Sequence, residues 1–174
     1  RGNTVYYAYD DAGRLTQTKY KRMENGALVD KIISSIAYQR WDSDDDGILD
    51  ADRVVETDGM GVASTQYYDK AGRMVKKTSG GVTVQYEYDK IGNVVKVTDG
   101  DGRVTRAQYD ENGNNVKIEK VSLQAGVENI ENTFLYDLLG NKTSEKDANG
   151  AETSYEYDEL NRLKKVTQYL SATE

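Results

Sequence analysis

A Tyr-Asp pair recurs six times along the chain, and every copy is followed by the same turn signature. The pairs begin at Tyr9, Tyr68, Tyr88, Tyr109, Tyr136 and Tyr157. Four residues after the tyrosine stands a glycine, at Gly13, Gly72, Gly92, Gly113 and Gly140. The sixth copy has Asn161 there, and asparagine tolerates a left-handed backbone better than most non-glycine residues. The pattern therefore predicts a tight turn with positive φ at this position.

A second glycine marks the opposite end of the repeat, seven residues before the next repeat tyrosine. These glycines are Gly61, Gly81, Gly102 and Gly150. Between the two turn signals the residues alternate in character, as in residues 82–88, where every second side chain is valine or tyrosine. Repeat spacings of 20 and 21 residues leave room for two short strands and two turns. The spacing therefore predicts one β-hairpin for each Tyr-Asp pair.

The predicted fold class is all-β, with tandem antiparallel hairpins that form one continuous sheet. An isolated hairpin is marginal in water, so neighbouring hairpins have to pair edge to edge. In that arrangement the repeat tyrosines fall in register and form an aromatic ladder. The alternative is an ordinary β-sandwich in which the Tyr-Asp pairs and glycine offsets are coincidental. We expect a repeat array over residues 1–174 that contains about seven repeats, one of them enlarged at 41–67. We also expect the chain to be a fragment of a longer protein.

Composition restricts the chemistry that the chain can perform. Tyrosine is the main aromatic residue, with 14 copies against one Phe and one Trp, and tyrosine suits half-buried sheet faces. The chain has no Cys and no His, which removes the commonest nucleophile–base pairs, and we predict that it is not an enzyme. Carboxylate pairs of the glycosidase type are expected by coincidence among 30 acidic residues. A net charge of −7 argues against nucleic-acid binding, and no apolar run is long enough to span a membrane.

Segments such as residues 9–15 and 157–163 resemble the YD repeat of the RHS (rearrangement hot spot) family. That family includes bacterial polymorphic toxins, the C component of insecticidal toxin complexes, wall-associated proteins and animal teneurins. The resemblance covers nearly the whole chain and implies a curved or spiralling β-sheet shell, which in the toxins encloses a toxic C-terminal domain. The self-cleaving core and the variable toxin of those proteins have no counterpart in this sequence. Neither activity is therefore carried over to it.

An acidic stretch stands where one Tyr-Asp turn is missing, directly after Trp41. Its carboxylates follow the spacing of an EF-hand-type calcium loop, with Gly47 at the position of the sharp turn. The predicted ligands of a structural Ca²⁺ are Asp42, Asp44, Asp46, the carbonyl of Ile48, Asp50 and Asp52. Arg53 occupies position 12, where a bidentate glutamate belongs, and a non-helical exit would let Asp52 take that role. The alternative is an acidic turn that is merely solvated.

Two function classes remain open. One is a non-catalytic structural segment of a secreted or cell-surface RHS/YD-repeat protein, which contributes to a β-sheet shell. Its partners are then neighbouring repeats of the parent chain and, in a toxin, an enclosed cargo domain. The other is an adhesin-like surface module that binds carbohydrate or a protein partner, because exposed tyrosine rings can stack on sugars. In both cases the expected location is extracellular or at the cell surface.

Overall fold

The computed structural model describes residues 4–42, 51–124 and 127–169. These residues form fourteen β-strands, and no helix occurs among them. The strands are β1 (Val5–Tyr9), β2 (Leu15–Glu24), β3 (Ala27–Trp41), β4 (Ala51–Asp58), β5 (Ala63–Tyr68), β6 (Met74–Ser79), β7 (Val82–Tyr88), β8 (Val94–Thr98), β9 (Val104–Tyr109), β10 (Asn115–Lys120), β11 (Ile130–Tyr136), β12 (Lys142–Lys146), β13 (Glu152–Tyr157) and β14 (Leu163–Tyr169). The described part of the chain contains no helix that could cross a membrane.

The strand order follows the chain order from β1 to β14, so no crossover connection occurs among the described strands. The chain divides into two compact units, Arg1–Gln85 and Tyr86–Glu174. In the first unit, consecutive strands from β1 to β7 pair antiparallel. In the second unit, consecutive strands from β8 to β14 do the same. The predicted all-β fold of antiparallel hairpins is confirmed, and the sandwich alternative is wrong.

Burial is slight throughout the described residues, and only Ala51 is fully buried, at 2% exposure. In the second unit the two faces of the sheet differ in chemistry. Alternate positions of its strands place Phe134, Tyr136, Tyr155 and Tyr157 on one face, which we call the tyrosine face. The opposite face carries cross-strand ion pairs, at Lys96–Glu87, Arg106–Glu119, Lys117–Glu131 and Lys165–Glu156. The sheet thus lacks the deep core of a globular domain, as the tyrosine-rich composition predicts.

A β-bulge follows the turn in five of the Tyr-Asp hairpins. In the β9–β10 hairpin, Tyr109 pairs with Asn115 and Gln108 pairs with Lys117, so Val116 is the extra residue. The equivalent extra residues of the other hairpins are Thr16, Val75, Thr143 and Lys164. A bulge shifts the alternation of side chains by one position. This shift explains why the return strands show a mixed polarity pattern in the sequence.

Candidate functional site

The aspartate of each Tyr-Asp pair closes its own hairpin turn. At the first copy, the Asp10 amide donates to the Arg14 carbonyl and the Gly13 amide donates to the Asp10 carbonyl, both at 2.9 Å. The Asp10 carboxylate oxygen Oδ1 accepts hydrogen bonds from the amides of Ala12 at 3.0 Å and Arg14 at 2.9 Å. Gly13 has a φ of 76°. These are the features of a type I turn followed by a left-handed residue, which is a common three-residue hairpin loop.

The same pattern of backbone and Oδ1 hydrogen bonds recurs at all six Tyr-Asp pairs. The remaining five turns start at Asp69, Asp89, Asp110, Asp137 and Asp158. Asn161 has a φ of 61°, which confirms the prediction that asparagine replaces glycine at a left-handed position. The conformation of this turn is therefore specified by the aspartate and by the residue three positions after it.

The arginine or asparagine that ends each signature binds the second carboxylate oxygen. Arg14 Nε donates to Asp10 Oδ2 at 2.8 Å, and Asn114 Nδ2 donates to Asp110 Oδ2 at 2.9 Å. The other four turns make the equivalent bond at 2.8–2.9 Å. Arginine and asparagine share a planar N–H donor that reaches the carboxylate from this position. The need for this donor explains why arginine or asparagine occupies this position in all six Tyr-Asp turns.

Hydrogen bonding lowers the pKa of the carboxyl group in all six turns below its ordinary value. At Asp110 the side-chain amide of Asn114 is the largest cause, and burial opposes it. At Asp69 burial raises the pKa, but the backbone and side-chain hydrogen bonds from Arg73 outweigh it. The pKa is lowered likewise at Asp10, Asp89, Asp137 and Asp158. The ionised carboxylate is therefore the form that the folded turn stabilises.

The opposite ends of three hairpins use the same aspartate turn without a preceding tyrosine. Asp58, Asp99 and Asp147 each accept the amides of the residues two and four positions later through Oδ1. The sequence identifies these segments as turns but does not distinguish them as copies of one motif. The signal that identifies them is an Asp three residues before a Gly, which the sequence contains at all three places. Two other turns, at Asn25-Gly26 and Gly80-Gly81, have two consecutive positive φ values.

Tyrosine hydroxyl groups join one hairpin to its neighbour. Tyr109 donates to the carbonyl of Val94 at 3.1 Å, and Tyr157 donates to the carbonyl of Lys142 at 2.9 Å. Each acceptor is the first residue of the strand that follows the preceding aspartate turn. At these two positions the connection between repeats is a hydrogen bond from the tyrosine hydroxyl to a backbone carbonyl.

Tyr38, and not Trp41, takes this linking role in the enlarged repeat. The Tyr38 hydroxyl donates to the Leu15 carbonyl at 3.2 Å, which is the same relation as in the other two links. Trp41 lies three residues further along β3 and points to the next hairpin, where its Nε1 donates to the Tyr68 carbonyl at 2.8 Å. From the sequence alone, Trp41-Asp42 stands approximately where the missing Tyr-Asp pair is expected. In the structure Tyr38 occupies the position of the repeat tyrosine, and β3 continues for three residues beyond it to Trp41.

A packed cluster of rings and cations lies at the base of the acidic loop. The rings of Trp41 and Tyr67 meet edge to face, with centroids 5.1 Å apart. Lys76 Nζ lies 4.0 Å from the Tyr67 ring centroid and the Arg53 guanidinium carbon lies 5.9 Å from it. Trp41 pairs in the ladder with the buried Ala51. The two strands that carry the loop are thereby held together at its base, a feature that the sequence does not reveal.

The predicted calcium ligands fall only partly within the described residues. Asp42 directly follows β3, and Asp52 is the second residue of β4, so the predicted non-helical exit of the loop is confirmed. Asp44, Asp46, Ile48 and Asp50 lie outside the described residues. The Asp52 carboxylate accepts a hydrogen bond from Arg40 Nη1 at 3.0 Å, across the strand pair. Among residues 4–42, 51–124 and 127–169, no group of three or more carboxylates is placed to hold a metal ion.

Hairpins that are closed by aspartate and joined by tyrosine hydroxyls define a β-hairpin repeat scaffold. Residues 68–104, 88–117 and 136–169 match the RHS Repeat family. These matched segments, which together cover just under half of the chain, are RHS repeats, as the resemblance in the sequence predicts. A comparison with curated protein sequences gave no significant match.

Solved toxin-complex structures share the fold. The crystal structure of TcdB2-TccC3 without the hypervariable C-terminal region aligns with a TM-score of 0.64 at 17% identity, over 98% of this chain and 9% of that chain. The Tc holotoxin pore of Photorhabdus luminescens aligns with a TM-score of 0.52 at 12% identity, over 99% of this chain and 14% of that chain. The chain thus spans only a small part of the length of these proteins. At this level of identity, the similarity shows the shared β-sheet fold alone.

Proposed function

We propose that this chain is a non-catalytic wall segment of a β-sheet shell in a secreted or cell-surface RHS/YD-repeat protein. The observation that carries the proposal is the array itself, in which hairpin follows hairpin and only Ala51 is buried among the described residues. Such a sheet offers its faces and edges to neighbouring protein. Further repeats of the parent chain, and a cargo domain inside the shell, are the partners that fit this role.

Electron microscopy of the complete parent protein tests the proposal. The expected result is a hollow particle in which residues 1–174 form part of the wall. A parent protein in which these residues form a separate domain beside the particle contradicts the proposal. A glycan array with the isolated chain tests the adhesin alternative, and saturable binding of a defined glycan that a tyrosine variant abolishes favours that alternative.

The proposed role includes a structural calcium ion in the acidic loop. The ligands are Asp42, Asp44, Asp46, the carbonyl of Ile48, Asp50 and Asp52. The ladder pair Trp41–Ala51 supports the proposal, because it holds the two ends of the loop side by side above the ring cluster. The density of carboxylates in the loop also supports it, because they repel one another unless a cation offsets their charge. An affinity in the range of about 10⁻⁴–10⁻³ M is expected, as in other extracellular modules.

Calorimetric titration of the chelator-treated chain with calcium tests this site. The Asp44→Ala variant is expected to abolish the heat of binding, whereas the control Glu111→Ala, in an exposed turn, leaves it unchanged. Arg40 shares the Asp52 carboxylate and carries a positive charge beside the loop, so the Arg40→Ala variant is expected to bind calcium more tightly. An unchanged affinity in Asp52→Ala removes Asp52 from the ligand set. No heat of binding and no rise in melting temperature at millimolar calcium refute the site altogether.

A further inference from the structure

The hairpin of β2 and β3 extends beyond both of its neighbouring strands. Pairing of β1 with β2 ends at Val5–Tyr20, and pairing of β4 with β3 ends at Asp58–Ser34. The chain then reverses at the Asp58 turn, so β4 does not accompany residues 27–33 of β3. We call residues 19–33 the arm, which starts at the irregularity in register between Thr18 and Lys19.

The turn of the arm determines which backbone groups point away from β2. Asn25 and Gly26 have φ values of 49° and 81°, as in a two-residue type I′ turn. In such a hairpin the pair that flanks the turn, Glu24–Ala27, exchanges both hydrogen bonds, and every second pair after it does the same. The backbone N–H and C=O groups of Leu28 and Asp30 therefore point to the outer edge of β3.

The position of Gly59 agrees with this assignment. A Cβ atom at Gly59 would lie 2.4 Å from the carbonyl oxygen of Ile32. The Ile32 carbonyl therefore points to the Asp58 turn and away from β2, as expected two residues after Asp30. Gly59 covers the edge at Ile32, and the stretch Ala27–Lys31 lies beyond it. Leu28 is 64% exposed and Val29 is 37% exposed on this stretch.

The charged side chains of this edge do not shield its backbone. Proteins often block an exposed strand edge with charges that face an approaching strand. Here Asp30 is bound to Lys19 at 2.6 Å and Lys31 is bound to Glu24 at 2.9 Å, both partners being on β2. The side chains of Asp30 and Lys31 therefore point towards β2 and away from the outer edge of β3. The outer edge is left with unpaired backbone groups and exposed apolar side chains.

The arm has the opposite charge from the rest of the chain. It contains four basic and two acidic residues, which leaves 19 of the 23 basic and 28 of the 30 acidic residues for the remainder. Its two acidic residues are those already paired, so the positive excess lies at Lys21 and Arg22. Lys21 lies 5.7 Å from the Tyr6 ring centroid, and neither cation lies within ion-pair distance of a carboxylate among the described residues.

We propose that the outer edge of β3 at Ala27–Lys31 binds an extended acidic polypeptide segment as an added antiparallel strand. The backbone groups of Leu28 and Asp30 supply the main-chain hydrogen bonds of this β-augmentation, and Leu28 and Val29 supply apolar contacts. The positive excess at Lys21 and Arg22 favours an acidic partner over a basic one, mainly through the rate of association. This edge lies inside the array, so it remains available when further repeats extend β1 or β14.

The probe is a short blocked peptide of alternating valine and glutamate, titrated into the complete chain and followed by amide chemical shifts. The expected result is saturable shifts and slowed hydrogen exchange at the amides of Leu28 and Asp30. The Leu28→Pro variant removes one outward donor but no bond to β2, so it is expected to weaken binding about tenfold relative to Leu28→Ala. In Leu28→Ala, the outward donor remains.

Two further measurements test the chemistry of the partner. A lysine analogue of the peptide is expected to bind at least about tenfold more weakly than the glutamate peptide, and Arg22→Glu is expected to reduce this preference. Equal binding of the two peptides overturns the assignment of an acidic partner. Equal binding by Leu28→Pro and Leu28→Ala, with the amide shifts of β2 unchanged in both, overturns strand addition. Self-association of the chain through these same amides, without peptide, shows that a second copy is the occupant and also overturns the proposal.

Discussion

Removal of the Asp69 carboxylate tests whether the aspartate turn stabilises its hairpin. Asp69 Oδ1 accepts the amides of Ala71 and Arg73 at 2.9 Å, and Oδ2 accepts Arg73 Nε and Nη2 at 2.8 Å. Loss of a comparable helix-capping side chain costs about 1 kcal/mol, and a partly exposed ion pair adds about 0.2–1 kcal/mol. We therefore expect Asp69→Ala to lower the free energy of opening of the β5–β6 hairpin by about 1–2 kcal/mol.

The Asp69→Asn variant distinguishes the contributions of the two carboxylate oxygens. Its side-chain oxygen retains the bonds of Oδ1 to the two amides, whereas its NH₂ group cannot accept a hydrogen bond from Arg73. The expected loss is therefore smaller, about 0.2–1 kcal/mol, because only the ion pair is removed. Asp11→Ala is the control, since it removes an exposed acidic side chain from the residue after the turn aspartate in another Tyr-Asp turn, where that side chain makes no hydrogen bond to the turn.

Native-state hydrogen exchange of the β5 and β6 amides measures these differences, because it reports the opening of individual segments. Global unfolding is less informative for a repeat array, which does not necessarily unfold in one cooperative step. Equal destabilisation by Asp69→Ala and Asp69→Asn refutes the role of Oδ1. No destabilisation by either variant, relative to Asp11→Ala, refutes the turn as a source of stability.

Three further predictions concern the repeats. Folding lowers the carboxyl pKa values of the Tyr-Asp turns. The ionised carboxylates therefore stabilise the fold above their unfolded pKa of about 4, and this stabilisation is lost as the pH falls through the lower pKa values of the folded chain. Circular dichroism between about pH 5 and pH 2 is expected to show the loss. Tyr157→Phe is expected to cost about 1 kcal/mol in urea denaturation through the lost hydroxyl bond, whereas the exposed control Tyr7→Phe is neutral. Asn161→Gly is expected to raise the melting temperature, because glycine adopts the left-handed backbone without strain, and Gly113→Ala is expected to lower it. A lower melting temperature for Asn161→Gly together with a higher one for Gly113→Ala contradicts the assigned turn geometry.

The repeat architecture was predictable because its determinants are local in sequence. The turn at Asn161 requires a positive φ, and few residue types satisfy that requirement, so the offset of four from each tyrosine is visible in one sequence. The alternation of residues 82–88 is visible for the same reason, since one face of the strand is more buried than the other.

The role of Tyr38 was not predictable from the pattern, because it is defined by a contact across the sheet. Tyr38 is followed by Gln39, so the Tyr-Asp criterion misses it. Only the hydrogen bond from its hydroxyl to the Leu15 carbonyl shows that Tyr38 is equivalent to the repeat tyrosines. The bulge residues, such as Val116, are missed for a similar reason, because a bulge depends on the register of two strands and not on one residue type. The ligands of the acidic loop stay a prediction.

The sequential strand order has a consequence for how the chain forms and comes apart. Because each strand pairs with strands adjacent in the chain, closing each hairpin requires only a short loop and no distant partner. Within each unit, a chain delivered from one end can therefore add its hairpins in order, as each emerges from a ribosome or a secretion channel. By the same geometry, a force on one end acts on a single strand ladder at a time, so the sheet can be peeled hairpin by hairpin without first disrupting a shared core.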